Sequence, residues 1–185
     1  MASSSIVYLI SILSLIFIVQ ESSILVVGDA GLIQSTCQQT RLPDLCTSTL
    51  NADQSSQTAD VKGLASIVIA AGETSAADTS KYILNELVKT YTDANAQVVT
   101  RCSTFYDNAK SALEGSAGDL SSDELDNAIL EVAAASTYGD NCKNSFSNAT
   151  PPVAYPDALA QRQVTLQGLC GVANDIIEVI RSSQP

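Results

Sequence analysis

Residues 156–180 read PDALAQRQVTLQGLCGVANDIIEVI, and their apolar side chains recur at intervals of three and four. This spacing places the apolar side chains on one face of an α-helix. Pro156 and Asp157 open the segment, and both residue types are favoured at a helix N-terminus. The segment therefore predicts a long amphipathic helix with one buried face. Its buried positions are predicted to be Leu159, Leu166, Leu169, Cys170, Ala173, Ile176, Ile177 and Ile180.

Two segments upstream have the same helical periodicity. The first runs over residues 56–91, with apolar stripes at 64–71 and 83–91. The second runs over about residues 93–114, and the glycines that follow it, Gly115 and Gly118, are expected to end it. Its buried stripe is predicted to be Val98, Cys102, Phe105, Ala109, Ala112 and Leu113.

A further helix is expected to begin after an N-cap at Ser121 or Ser122, with acidic residues in its first turn. A proline-containing loop at residues 148–152 separates this helix from the last one. Four long amphipathic helices with short connections predict an all-α fold, an up-down-up-down four-helix bundle over residues 56–185.

The first 30 residues are predicted to be a signal peptide rather than part of the fold. Residues 6–19 are apolar except for two serines, a length typical of a signal-peptide core and short for a membrane span. Small residues follow, and cleavage is expected somewhere in 22–30. The alternative, a membrane anchor over residues 6–27, would place Glu21 inside the bilayer at a high free-energy cost.

Five cysteines in a secreted chain predict two disulfides and one spare thiol. Spacing alone leaves fifteen arrangements open, although closeness in sequence favours Cys37 with Cys46. Such a bridge would close a short N-terminal helical hairpin over residues 31–55, which is too short to join the bundle. Cys170 lies on the apolar face of the last helix, so we expect a buried, inert thiol.

Composition excludes most catalytic chemistry. The 185 residues carry 9 basic and 20 acidic side chains, a net charge of −11 that argues against nucleic acid or an anionic membrane as partner. No histidine is present, which excludes Ser-His and Cys-His pairs and histidine-bound metals. Asp123, Glu124 and Asp126 cluster at a predicted helix start, where the helix dipole accounts for them. We therefore predict a binding protein or inhibitor that needs no cofactor or metal.

Four groups of residues follow one another in a specific order over residues 33–146. They are I-x-x-x-C-x-x-T-x-x-P-x-x-C-x-x-x-L over 33–50, Asp60 with Lys62–Ala65, C-x-x-x-Y-x-x-A over 102–109, and Ala133–Ala135 followed by Cys142 and Phe146. This order resembles that of the plant pectin methylesterase and invertase inhibitor family. The resemblance covers nearly all of the mature chain. It implies a secreted helical bundle with disulfides Cys37–Cys46 and Cys102–Cys142, and with Cys170 free.

Two features resemble the pectin methylesterase inhibitor branch of that family. Residues 166–170 match its L-x-x-L-C element, in which a fifth, unpaired cysteine is common. Invertase inhibitors share a Pro-Lys-Phe tripeptide between the second and third long helices, and residues 116–121 lack it. The resemblance implies an inhibitor, not an enzyme, that forms a 1:1 complex with pectin methylesterase in the apoplast and cell wall. There it would cover the pectin-binding cleft reversibly and limit pectin de-esterification.

The resemblance also suggests which positions contact the partner. They are Tyr106, Asp107 and Asn108 on the second long helix, and Asn141 and Asn144 on the third. A solvated helix face would explain each of them equally simply. Asn148-Ala149-Thr150 is a possible N-glycosylation sequon, although Pro151 directly after it makes modification less favourable.

Two alternative functions remain open at this stage. The first is inhibition of acid invertase (β-fructofuranosidase), which the missing tripeptide weakens. The second is a secreted helical bundle without an enzyme target, such as a storage, allergen-like or lipid-carrying protein. The alanine-rich stripes favour close-packed helices over the internal cavity that a lipid carrier needs.

Overall fold

The computed structural model describes residues 27–184, a range that contains helices and short connections but no strand. Two short helices come first, α1 (Val27–Cys37) and α2 (Pro43–Asn51). Four long helices follow: α3 (Val61–Asn85), α4 (Asp93–Ser121), α5 (Leu125–Ser147) and α6 (Asp157–Ser182). Short 3-10 segments at Gln54–Thr58 and Leu87–Thr90 flank α3. The prediction of an all-helical fold with short N-terminal helices and four long ones is confirmed.

The four long helices pack in cyclic order, each against its two neighbours. Side-chain bonds between helices show that neighbours are antiparallel. The buried Ser116 hydroxyl, near the end of α4, donates to the carbonyl of Ala128 near the start of α5 at 3.0 Å. Arg181 at the end of α6 binds Asp126 at the start of α5 at 2.9 Å. These contacts give the up-down-up-down order.

The predicted signal peptide lies outside the described residues, except for residues 27–30, which begin α1. Its cleavage therefore stays a prediction. Among the helices that the structure describes, none is long and apolar enough to cross a membrane.

The helix α3 is shorter than the predicted segment 56–91. Its start is set by Asp60, whose carboxylate accepts a hydrogen bond from the Gly63 amide at 2.7 Å and caps the first turn. Residues 87–90 beyond its end form a separate 3-10 turn. The Asp60 carboxylate provides an acceptor for one of the free amides at the helix N-terminus. The helix therefore starts five residues later than the apolar pattern suggested.

The predicted boundary between α4 and α5 is wrong. Gly115 and Gly118 lie within α4, which continues to Ser121, and neither Ser121 nor Ser122 caps α5. The turn is instead made by Asp123, whose φ of 61° lies in the left-handed region that reverses the chain. Packing of α4 against α5 holds the last turns of α4 in helical form even though they contain glycines.

Four of the six residues predicted for the buried stripe of α4 are buried, namely Cys102, Ala109, Ala112 and Leu113, but the centre of the stripe differs from the predicted one. Val99 and Tyr106 are fully buried, whereas Val98 and Phe105 are only partly covered. The physical reason is that α4 packs between α3 and α5, so the buried arc is centred between those two neighbours. The core otherwise contains the predicted apolar residues of α6, from Leu159 to Ile177.

The structure contains two disulfides, which join Cys37 to Cys46 and Cys102 to Cys142. The first ties α1 to α2, and the second ties α4 to α5. Cys170 is a free, buried thiol. Burial raises the pKa of this thiol to about 12, so it stays protonated and unreactive at physiological pH.

Candidate functional site

A groove of about 620 Å³ lies between the first half of α4 and the end of α5. We call it the α4–α5 groove. Helix α4 supplies one wall, α5 supplies the other, and the first residues after α5 complete the lining. Its lining residues are Asn95, Val98, Arg101, Phe105, Asn141, Asn144, Ser145, Asn148, Ala149 and Thr150.

The Cys102–Cys142 disulfide sets the distance between the two walls. Arg101 and Asn141 each directly precede one of its cysteines, and the two cysteine Cα atoms are 4.7 Å apart. Both cysteines are fully buried. The groove is therefore built on a covalent crosslink between two packed helices, which makes its walls rigid before any partner binds.

The chemistry of the groove differs from that of the chain as a whole. Although the protein has a net charge of −11, the described residues that line the groove include no carboxylate. Arg101 is their one charged group, and it is exposed. Four asparagine amides and two hydroxyls supply the other polar groups. The groove is thus rich in hydrogen-bond donors.

Val98 and Phe105 are the large apolar side chains of the groove lining. Phe105 stacks on Tyr138 with ring centroids 6.4 Å apart, and both side chains remain partly accessible. Below it, Tyr155 packs edge-on against Phe146 at 5.2 Å. Burial raises the pKa of Tyr155 to about 12, so its hydroxyl is neutral and acts as a structural group.

The structure brings some of the predicted contact residues together and separates others. Asn141 and Asn144 line the α4–α5 groove, and so does Asn148 of the sequon. Asn108 is exposed and continues the α4 wall beyond the lining residues. Asp107 is also exposed, but it lies beside Lys110 on another face of α4.

The prediction that Tyr106 contacts a partner is wrong for the folded protein. Its side chain is 0% exposed, because position 106 lies on the face of α4 that packs into the bundle. Its hydroxyl has no hydrogen-bond partner among the described residues. Burial, followed by the neighbouring Tyr155, raises the pKa of Tyr106 above its usual range. Tyr106 supports the groove from behind and cannot touch a docked protein.

Arg101 and Phe105 line the groove but are not among the contact positions predicted from the sequence. A signal for the groove was present, because Asn141, Asn144 and Asn148 recur at helical spacing. Arg101, directly before Cys102, could have been linked to them only through the disulfide pairing. The sequence separation of that bridge is 40 residues, so the two walls are distant along the chain.

The described residues contain no arrangement for catalysis at this groove. Among the side chains that the structure describes, no three of His, Cys, Asp or Glu lie close enough together to hold a metal ion. The lining includes neither a carboxylate pair nor a thiol. What the arrangement offers is a rigid, donor-rich surface for binding.

Comparison with known proteins shows similarity to enzyme inhibitors. Residues 31–176 match the model of one protein family, which is described as Plant invertase/pectin methylesterase inhibitor. The chain is 36% identical over 148 residues to "Cell wall / vacuolar inhibitor of fructosidase 2" of Arabidopsis thaliana, covering 80% of this chain and 82% of the relative. It is also 36% identical over 162 residues to "Pectinesterase inhibitor 28" of Oryza sativa subsp. japonica, covering 83% and 71%.

Two further similar proteins are also named as inhibitors of pectinesterase or pectin methylesterase. The chain is 32% identical over 155 residues to "Pectinesterase inhibitor" of Actinidia deliciosa, covering 83% of this chain and 80% of the relative. A crystal structure of a mutant form of a pectin methylesterase inhibitor from Arabidopsis superimposes with a TM-score of 0.61 at 21% identity, covering 77% of this chain and 92% of the other. At that identity the structural likeness bears on the fold alone.

Proposed function

We propose that this chain, which belongs to the plant invertase/pectin methylesterase inhibitor family, is a secreted inhibitor of a pectin methylesterase. It would act in the apoplast and cell wall by docking on the enzyme and covering its pectin-binding cleft reversibly. A 1:1 complex is expected, since the α4–α5 groove offers one docking face. The protein itself is an inhibitor family member and not an enzyme.

The observation that carries the choice of target is the short turn between α4 and α5. Only residues 122–124 separate the two helices, and Lys62 holds this turn by binding Asp123 at 2.7 Å and the Ser121 carbonyl at 3.2 Å. Neither this turn, residues 122–124, nor the end of α4 over residues 116–121 contains the Pro-Lys-Phe tripeptide that the family resemblance associates with invertase inhibitors. This feature supports a pectin methylesterase as the target.

A rigid docking surface favours tight binding by simple coverage. The disulfide between α4 and α5 and the close packing behind it mean that little conformational entropy is lost when the groove meets a partner. Inhibition then needs no group that reacts with the enzyme. It requires only that the bundle occupy the space through which the polymer reaches the active site.

Inhibition of an acid invertase is the second candidate, and one observation favours it. A relative named as an inhibitor of fructosidase is 36% identical over 80% of this chain, the same identity as the rice pectinesterase inhibitor. Identity alone therefore does not choose between the two targets.

A paired inhibition assay tests the proposal. Residues 31–185, produced with both disulfides formed, are added in excess to a pectin methylesterase and, separately, to an acid invertase at mildly acidic pH. We expect loss of esterase activity and retention of invertase activity. The reverse result would make invertase the target, and no effect on either enzyme would favour a bundle without inhibitory function.

Two matched variants test the docking face. Asn144→Trp places a bulky side chain in the α4–α5 groove and should abolish inhibition, whereas Val164→Trp on α6 should not, because Val164 is 70% exposed and outside the groove. If only Val164→Trp abolished inhibition, the docking face would lie on α6 instead.

A further inference from the structure

The charges of the protein are distributed unevenly between the two ends of the bundle. Residues 78–108 and 138–162, the half that holds the α4–α5 groove, contain five basic and six acidic side chains. The remainder of residues 31–185 contains four basic and twelve acidic side chains. The groove half is thus close to neutral, and most of the negative charge lies at the opposite end.

The ion pairs reinforce this asymmetry. Five of the nine basic side chains form the ion pairs seen among the described residues, namely Arg41, Lys62, Lys81, Lys110 and Arg181. Those outside these pairs are Lys89, Arg101, Lys143 and Arg162, and all four lie in the groove half. Arg162 stacks over the Tyr82 ring at 4.3 Å. Of these four cations, only Arg101 is among the described residues that line the groove.

Arg101 lies among groups that suit a carboxylate. The guanidinium is a planar set of donors that matches a carboxylate in two parallel hydrogen bonds. Asn141 and Asn144 on the facing wall carry amide groups that can also donate, and no described lining residue is acidic. An apolar or cationic ligand would leave the guanidinium without an acceptor once water is excluded, and a neutral oxygen would accept a weaker hydrogen bond than a carboxylate does.

We infer that the α4–α5 groove receives an aspartate or glutamate side chain from the surface of the target enzyme, bound by Arg101 and flanked by Asn141 and Asn144. This inference rests on the proposed inhibitory function and names the chemistry of the partner surface. The near-neutral charge of the groove half allows an acidic surface to approach. The strongly acidic opposite end repels that surface and so favours docking through the groove.

The test compares two charge reversals that differ in position alone. Arg101→Glu reverses the cation in the groove, and Lys143→Glu reverses an exposed cation on α5 that lies outside the lining. Both change the net charge equally, so a long-range effect would be the same in both variants. We expect the inhibition constant for the esterase to rise at least about tenfold with Arg101→Glu and less than about threefold with Lys143→Glu.

Salt dependence supplies a second measurement. Arg101→Ala should weaken inhibition most at low ionic strength, and its difference from wild type should shrink as salt is raised, because salt screens the approach of the two charges. Circular dichroism and thermal melting of each variant establish that it is folded, which is expected because Arg101 is exposed.

The outcomes separate the inference from the proposed function. A wild-type protein that inhibits neither enzyme would overturn both. A wild-type inhibitor whose constant is unchanged by Arg101→Glu, or changed equally by Lys143→Glu, would overturn only the carboxylate pairing. Retention of the protein on immobilised polygalacturonate that disappears with Arg101→Ala would also overturn it, since the carboxylate would then come from the polysaccharide.

Discussion

The Cys102–Cys142 disulfide is expected to contribute more to stability than Cys37–Cys46. The perturbation is to replace both cysteines of one bridge by alanine, which opens a loop with a sequence separation of 40 in the first case and 9 in the second. Loop-closure entropy then gives a loss of about 4 kcal/mol for the longer loop and about 3 kcal/mol for the shorter. All four side chains are at most 1% exposed, so the packing lost is similar in the two variants.

The assay is guanidinium denaturation of the wild type and of both double-alanine variants under identical conditions. In a thermal melt, the larger loss of stability corresponds to a fall in melting temperature of about 8–16 °C for a protein of this size. Cys170→Ala is a suitable control, because it removes a buried sulfur without opening a loop.

The two double-alanine variants should differ more in their inhibition constants than in their stabilities. Arg101 and Asn141 adjoin Cys102 and Cys142, so loss of this bridge should loosen the α4–α5 groove and weaken inhibition even where the variant is folded. Loss of the bridge between α1 and α2 should leave the inhibition constant nearly unchanged. A larger stability loss from the Cys37–Cys46 variant, or equal effects on inhibition, would refute the reasoning.

Three further predictions concern other parts of the molecule. Gly72→Val should destabilise the fold by about 1–3 kcal/mol in denaturant melts, because even a Cβ there would lie 3.1 Å from Leu113. Partial burial, then the neighbouring Glu114, raises the pKa of Glu73, so its ionised form disfavours folding. Glu73→Gln should therefore raise the free energy of unfolding at pH 7 by less than about 1 kcal/mol, with a corresponding rise in melting temperature. This gain should vanish well below the ordinary glutamate pKa of 4.5, because the wild-type side chain is then protonated in both the folded and the unfolded state. Asn148 lines the groove, so a glycan on it would obstruct docking, and protein from a glycosylating host should inhibit at least about tenfold less well than Asn148→Gln from the same host. Equal inhibition by a demonstrably glycosylated sample would place the docking face elsewhere.

Helix boundaries show where local sequence was sufficient and where it was not. Asp157 was predicted to open the last helix, and α6 begins there, because a proline and an acidic residue favour a helix start without help from the rest of the fold. The end of α4 could not be predicted in the same way. Gly115 and Gly118 are local helix-ending signals, but the packing of α4 on α5 keeps both of them inside the helix.

Some residues of the α4–α5 groove could also be named from the sequence, whereas others could not. Asn141 and Asn144 could be named from the sequence only through the family resemblance, because they lie close to Cys142 in one of the matching motifs. Arg101 could not, because it belongs to a different helix and faces them only once the cysteines are paired. Tyr106 was misplaced because its helix buries an arc between two neighbours, and a spacing of three or four residues does not fix the centre of that arc.

The sequence by itself determined the helical class, the number of long helices and the absence of histidine-based catalysis, because these depend on periodicity and composition within each segment. The tertiary structure alone decided which face of α4 is buried, where α4 ends and which side chains share the α4–α5 groove. Those features depend on contacts between segments far apart along the chain. Helix periodicity specifies an apolar face to within about one residue position, and packing against neighbouring helices selects the final orientation.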